Sequence, residues 1–148
     1  MTPKDSLAGW QKIEFLFCHE IASSAFIEDT HVRVVPKSHA TWHSILATPE
    51  SISISASAKR NDFGLLYAIN ISARVPVYQD IDNATIKNAS HCKCVVRATD
   101  NMNRTFIFGT PDYPLDCIVD DIFGFVGDFI GKSFVFEAEI PQKPLQQK

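Results

Sequence analysis

Serine and a small apolar residue alternate without a break from Ser51 to Ala58. Every odd position carries serine, and every even position carries isoleucine or alanine. An extended strand sorts such a sequence into one polar and one apolar face, because its side chains point to alternate sides. A polar link from Lys59 to Gly64 leads into a second alternating segment, Leu65 to Val75. The pair predicts a β-hairpin, so the chemistry of this chain is expected on a sheet or its loops.

Further segments show the same strand patterning. They are Trp10 to Cys18, His31 to Val35, His91 to Thr99, Arg104 to Phe108 and Ser133 to Ile140. In the first of them Leu16 interrupts the polar face, which predicts a strand that is covered on both sides or lies in an interface. The set favours a mainly β fold, an antiparallel β-sandwich or small barrel of about six or seven strands.

Helical spacing of apolar residues occurs in three short stretches, which predicts one or two short helices. They are Lys37 to Thr48, Asp80 to Ser90 and Asp116 to Phe123. In the last stretch a helix would gather Leu115, Ile118, Val119 and Ile122 on one side. The glycines that follow oppose its continuation, each by roughly 1 kcal/mol relative to alanine.

The length of 148 residues predicts one domain, residues 1–148, with a core of its own. Residues 1–9 are expected to be a loose leader, and residues 141–148 a polar tail that begins after the last strand.

The net charge is −3, and the 14 Lys and Arg residues are scattered, so nucleic acid is not an expected partner. No apolar run reaches the ~18 residues of a membrane span, and Met1 to Ser6 lacks a secretory core, so we expect synthesis in a reducing cytoplasm and no membrane contact.

Cysteine and histidine positions offer weak metal candidates. Cys92 and Cys94 stand at i and i+2, and with Cys18 they could supply soft ligands if their strands were adjacent. Structural zinc sites usually space the paired cysteines by two to four residues in a tight turn, so small core side chains are the favoured interpretation. His39 and His43 would share a helical face, but no third ligand follows at a metal-site spacing. We therefore predict no metal and no cofactor.

No motif for covalent catalysis is present in the sequence. There is no Gly-x-Ser-x-Gly elbow, and no cysteine and histidine stand in a known local frame. Carboxylates at Asp112, Asp116, Asp120 and Asp121 lie near aromatic residues, but this spacing does not distinguish a catalytic pair from a solvated face. The chain is accordingly predicted not to be an enzyme.

Two surfaces remain as functional candidates. Residues 115–131 are rich in Phe and Gly, and this segment is either a buried cap on the sandwich or an apolar arm that docks on a neighbouring subunit. Its interface candidates are Phe123, Phe125, Val126, Phe129 and Ile130. Trp42, Tyr67 and Tyr113 could instead form an aromatic platform for a ligand. Unpaired edge strands give a further route to assembly.

The segment from Cys94 to Leu115 resembles a hairpin in small all-β structural proteins of tailed phages and prophages of gut bacteria. The shared features are a hydrophobic strand, an Asp-Asn-x-x-Arg turn at Asp100 to Arg104 and a Gly-Thr-Pro-x-x-Pro exit at Gly109 to Pro114. A terminal strand like Ser133 to Ile140, followed by prolines, also matches. The resemblance implies a non-enzymatic part of the virion, in the tail, neck or connector.

Such a part would be made in the host bacterial cytoplasm and would reside in the virion. Its partners would be copies of itself, as a homo-oligomer or ring, and other virion proteins. The resemblance carries no catalytic residues and no cofactor. The alternative from a different class is a monomeric β-sandwich module that binds a glycan or peptide.

Overall fold

The computed structural model describes residues 9–27, 31–45, 47, 51–62, 64–76, 83–122, 131–141 and 144–147. Within these ranges eleven strands form two sheets, and the helical elements include one α-helix and one 3-10 turn, Cys18–Glu20. The strands are β1 (Trp10–Phe17), β2 (Ile21–Ile27), β3 (His31–Pro36), β4 (His43–Ile45), β5 (Ser53–Asn61), β6 (Gly64–Pro76), β7 (Cys94–Asp100), β8 (Thr105–Phe108), β9 (Asp116–Ile122), β10 (Gly131–Ile140) and β11 (Leu145–Gln147). The helix α1 spans Asn83–His91. The predicted mainly β fold is confirmed.

The smaller sheet has four antiparallel strands in the order β5-β6-β10-β9. One row across it is apolar and consists of Ile54, Ile71, Phe136 and Cys117. The next row is polar and consists of Ser55, Asn70, Glu137 and Asp116. The alternation read from the sequence therefore separates a face turned to the core from a face turned to solvent.

The larger sheet has the order β2-β3-β11-β8-β7-β1-β4 and curls into a half-barrel. It is buried on both faces in its middle. Ile13, Phe15 and Phe17 of β1 pack toward the smaller sheet, whereas Leu16 packs into a second core on the opposite face. That second core consists of Leu16, Ile21, Val32, Val34, Val95, Ile107 and Leu145. The structure thus confirms the coverage on both sides that Leu16 predicts.

A short ladder joins the two sheets. The amide of Cys94 donates to the carbonyl of Leu115 at 3.0 Å, and the amide of Leu115 donates back to the carbonyl of Cys94 at 2.8 Å. Cys94 begins β7 of the larger sheet, and Leu115 precedes β9 of the smaller one. This bridge ties the two sheets together where β7 begins.

Two of the predicted helical segments are extended instead. Asp116 to Ile122 forms β9, which pairs with β10 from Glu137 to Gly131. Its side chains alternate, with Cys117 buried and Ile118 44% exposed. In so short a stretch the apolar spacing fits both the helical and the strand period. Pairing with β10 selects the extended conformation. Residues 37–45 of the next predicted helical segment likewise form turns and β4, because Ile45 joins the core between the sheets while Trp42 packs against the second core.

The segment predicted as a polar tail also contributes to the sheet. Leu145 to Gln147 forms β11, which runs parallel to β3 and antiparallel to β8. Leu145 is buried in the second core, opposite Ile107. Three residues are too few to show a strand period, so nothing in this sequence marks them as a strand. The predicted helix before β7 is confirmed as α1, and residues 1–8 lie outside the described residues.

Candidate interaction site

Strand β5 forms an open edge of the smaller sheet. It pairs with β6 from Ser53 to Asn61 in one unbroken register. Its other side has no strand partner among the described residues. Proteins usually protect such an edge with a proline, a bulge or an inward charge. The stretch from Ser53 to Ala58 contains none of these, and charge begins only at Lys59.

The remaining sheet edges within the described ranges are shorter, bulged or already contacted. Strand β4 has only three residues, and β2 shifts register between Ile21 and Ser23. Strand β9 packs against α1, and the residue before it, Leu115, is bonded to Cys94. The open side of β5 is therefore the longest regular edge available to another chain in the part of the protein that the structure describes.

Beside this edge an apolar cleft opens between the two sheets. Its volume is about 390 Å³, and its lining consists of Trp10, Ile54, Ala56, Tyr67, Phe106, Phe108 and Pro144. Phe106 and Phe108 share one face of β8, and the Trp10 ring meets them edge-on at centroid distances of 5.9 and 6.3 Å. Edge-to-face packing of this kind fixes the orientation of the rings. The cleft can accept apolar groups from an occupant that lies along β5.

The β7–β8 hairpin holds Phe106 and Phe108 in place through Asp100. One carboxylate oxygen of Asp100 accepts bonds from the amides of Met102 and Arg104, each at 2.9 Å. The other accepts a bond from the Arg104 guanidinium at 2.9 Å. Burial disfavours the charged form of Asp100, but these bonds outweigh burial and lower its pKa below the ordinary value.

Replacing Asp100 by asparagine is expected to lower the free energy of unfolding by about 2 kcal/mol at neutral pH, because bonds to a charged acceptor are lost. The folded-state pKa of Asp100 is lowered. The stabilisation that ionised Asp100 gives the folded protein is therefore fully present above the unfolded-state pKa of this carboxyl group. It is lost as pH falls through the folded-state pKa. Urea unfolding of Asp100→Asn and wild type at several pH values should show the gap closing below about pH 4. The exposed Asp112→Asn serves as control, and a gap that persists in acid would contradict the assignment.

The outer face of the smaller sheet carries a shallow polar groove of about 570 Å³. Its lining includes Ser55, Ser57, Asn70, Asp116, Glu137 and Glu139. Lys59 pairs with Glu139 at 3.1 Å, and Lys93 pairs with Asp116. Because cations flank these carboxylates, the groove does not concentrate one sign of charge. It is a hydrated face, and none of its carboxylates is enclosed.

The predicted aromatic platform is distributed over separate environments. Tyr67 lies in the cleft, and Trp42 packs against the second core on the other face of the larger sheet. The Arg97 guanidinium lies 4.3 Å from the centre of the Trp42 ring and makes two bonds to Glu14, at 3.1 and 2.8 Å. Tyr113 lies in the loop before β9 and is 46% exposed. Of the three, only Tyr67 lines the cleft.

Sequence reasoning missed the other aromatic residues of the cleft. Phe106 and Phe108 stand at i and i+2 in a segment predicted as a strand, so their shared face was a usable signal. Nothing in the sequence places Trp10 beside them, because that contact depends on the order of strands. The predicted interface residues Phe123, Phe125, Val126, Phe129 and Ile130 lie outside the described residues. Their role as cap or docking arm stays a prediction.

Cys18, Cys94 and Cys117 lie near one another at one end of the sandwich, and their surroundings favour the thiol form. Burial raises the pKa of Cys117 to about 12, and burial also raises the pKa of Cys94. Burial, then the neighbouring Cys92, raises the pKa of Cys18 as well. A metal needs the thiolate form, so these environments oppose ligation. The described residues contain no group of three or more His, Cys, Asp or Glu side chains able to hold a metal ion.

The two spaced histidines do not share a helical face. His43 lies in β4, where its ring is packed near Phe15 and Phe17 and bonded to Glu20 at 2.9 Å. His39 lies in the preceding turn and is exposed. The predicted helix of residues 37–48 is absent from this described segment, and with it the i, i+4 geometry that a metal pair requires.

Comparison with known proteins gave no match. No protein-family model, curated protein or solved structure is similar to this chain. In the described part of the chain, none of the helical segments has the length and apolar character that crossing a bilayer requires.

The hairpin that carries the phage resemblance has a clear structural role. Its Asp-Asn-x-x-Arg turn is closed by the bonds of Asp100, described above. In the exit segment, Gly109 has a φ of 87°, and a Cβ there would meet the carbonyl of Tyr113 at 3.1 Å. Thr110 and Tyr113 exchange amide-to-carbonyl bonds of 3.1 and 3.0 Å. The motif builds a turn and a tight exit that position β8 and the cleft.

Proposed function

We propose that this protein is a non-enzymatic structural component of a phage virion, in the tail, neck or connector, that acts by binding further copies of itself. The observation that carries self-assembly is the open edge of β5, nine residues long and free of a bulge. The virion context comes from the hairpin resemblance. Other virion proteins are the expected further partners.

The physical basis of assembly is the row of backbone groups that β5 leaves without a strand partner. Each added strand satisfies these N–H and C=O groups and shields them from water, as in other cases of strand addition. The sandwich behind the edge is closely packed, since Phe134 and Phe136 of the central β10 are fully buried. A rigid body with a regular edge can add a further copy without a large change of shape.

A monomeric binding module is the second candidate, and the aromatic cleft favours it. Trp10, Tyr67 and Phe106 are only partly buried there, and their rings offer the flat surfaces that peptides and glycans contact. In this alternative the β5 edge receives a short foreign peptide, and the protein itself stays a single copy.

Mass measurement in solution separates the two candidates. We expect light scattering coupled to size exclusion to give masses above the 16.5 kDa of one chain, rising with concentration. Electron microscopy of the same sample should show assemblies of more than one copy, and mass spectrometry of purified particles should detect the chain in virions. A mass of one chain at every concentration, with no particle association, would overturn the structural role and favour the binding module.

A further inference from the structure

We infer that the second copy docks on β5 through its own β5, in antiparallel orientation, so that the two smaller sheets become one eight-stranded sheet. This rests on the proposed self-assembly and names the surface and the partner. The contact is isologous, which means that one patch serves both copies and the pair closes on a two-fold axis, so a larger ring would be built from such pairs through a second contact. The other edges lack this capacity, being short, bulged or contacted by α1.

The inner face of β5 carries exposed apolar side chains, which favours a partner that covers this face. Ala56 and Ala58 point to the same side as Ile54, which is partly buried against the core, yet both alanines are exposed. The aromatic cleft begins at Ile54 and Ala56. In an isolated copy these apolar groups and the cleft wall face water. An added strand whose alternate side chains are small and apolar would cover them without a clash, and β5 is itself such a strand.

Matching of the two faces restricts the register. Serine must lie beside serine on the outer face, and Ile or Ala beside Ala on the inner face, so each residue pairs with one of the same parity. With Ala56 on the two-fold axis, Ser55 lies opposite Ser57 of the second copy. Ile54 of the second copy then lies opposite Ala58 and extends the apolar surface beside the cleft.

Repulsion between the two copies of Lys59 favours the register with Ala56 on the axis over registers centred closer to Lys59. With Ala56 on the axis, Lys59 lies opposite Ser53 of the second copy, and the two lysines stand six residues apart along the strands. At about 3.4 Å per residue this is roughly 20 Å, beyond the Debye length of about 8 Å. With Ala58 on the axis the separation falls to roughly 7 Å. Repulsion would then act at close range, although Glu139 partners each lysine.

A charged variant at the axis tests the contact. We expect Ala56→Lys to weaken self-association at least tenfold, because two ammonium groups would meet at the axis beside an apolar cleft. Ala56 is exposed in the single copy, so the variant should keep the wild-type unfolding midpoint. The matched control is Ser24→Lys, an exposed position on the edge strand β2, which should leave association unchanged.

A cysteine variant tests the register independently. Paired residues on a two-fold axis have a Cα separation of about 4.5–5.5 Å, which a disulfide can span. We expect oxidised Ala56→Cys to run at twice the 16.5 kDa chain mass on a non-reducing gel, whereas Ser24→Cys should not. Wild type treated in the same way accounts for the native cysteines.

The outcomes separate this inference from the proposed function. If wild type assembles, but Ala56→Lys assembles equally well and Ala56→Cys fails to cross-link, the β5 contact is wrong and self-assembly stands on another surface. If wild type remains one chain at all concentrations and Ala56→Cys does not cross-link, both are overturned. Loss of assembly in Ala56→Lys together with cross-linking of Ala56→Cys supports both.

Discussion

Replacing Phe136 by alanine is expected to lower the free energy of unfolding by about 3–5 kcal/mol. Phe136 is fully buried in β10, in one row with Ile71 of β6 and Cys117 of β9. Its ring lies 5.6 Å from that of Phe15, across the space between the two sheets. Truncation leaves a cavity in a place where neither sheet can close without moving the other. Since small domains have about 5–15 kcal/mol of stability in total, we expect much of the Phe136→Ala population to unfold on mild heating.

Chemical denaturation followed by tryptophan fluorescence measures this loss. The matched control is Glu137→Ala, the next residue of the same strand, which is exposed on the outer face. It should change stability by less than about 0.5 kcal/mol. A Phe136→Ala protein as stable as this control would show that the sheets do not pack through β10.

Replacing Leu145 by aspartate is expected to cost about 4 kcal/mol, since an unpaired carboxylate would enter the second core. Leu145 is 6% exposed and lies opposite Ile107. The new carboxyl group should have a raised folded-state pKa, because burial disfavours its charge. The penalty is therefore full above that pKa and shrinks as pH falls through it.

Unfolding curves at pH 7 and pH 4 measure the Leu145 effect. The adjacent substitution Gln146→Asp is the control, because Gln146 points to the other side of β11 and is partly exposed. If Leu145→Asp and Gln146→Asp behaved alike, residues 145–147 would be the polar tail that the sequence predicts and not a strand of the larger sheet.

The elements that the sequence predicts well are those with a long, regular period. The β5–β6 and β7–β8 hairpins follow from alternation on each side of turn residues, and Asp100 closes the second turn through local bonds. Both depend on interactions between neighbours in the chain. Strand β9 was wrongly predicted as a helix because its few apolar residues fit both periods, and pairing with β10 settles which one is used.

The candidate site could be predicted only in part. The alternating sequence pattern predicts the two faces of β5 and the face of β6 on which Tyr67 lies. The cleft also needs Trp10 and Phe108, which come from distant strands that meet only after the larger sheet has curled. Trp42 was predicted to belong to a ligand platform, but Arg97, which is bonded to Glu14, covers its ring face. No pattern in the sequence predicts that stack.

The amino-acid sequence by itself determined that the chain is extended and two-faced, because the alternation of side chains is a property of each strand alone. The tertiary structure decided which strand ends a sheet, which residues line the space between the sheets, and that Leu145 to Gln147 joins β3 to β8. These depend on pairing between residues far apart in the chain. The energy of such pairing comes from burial and backbone bonds shared between strands, and no single segment carries a record of its partner.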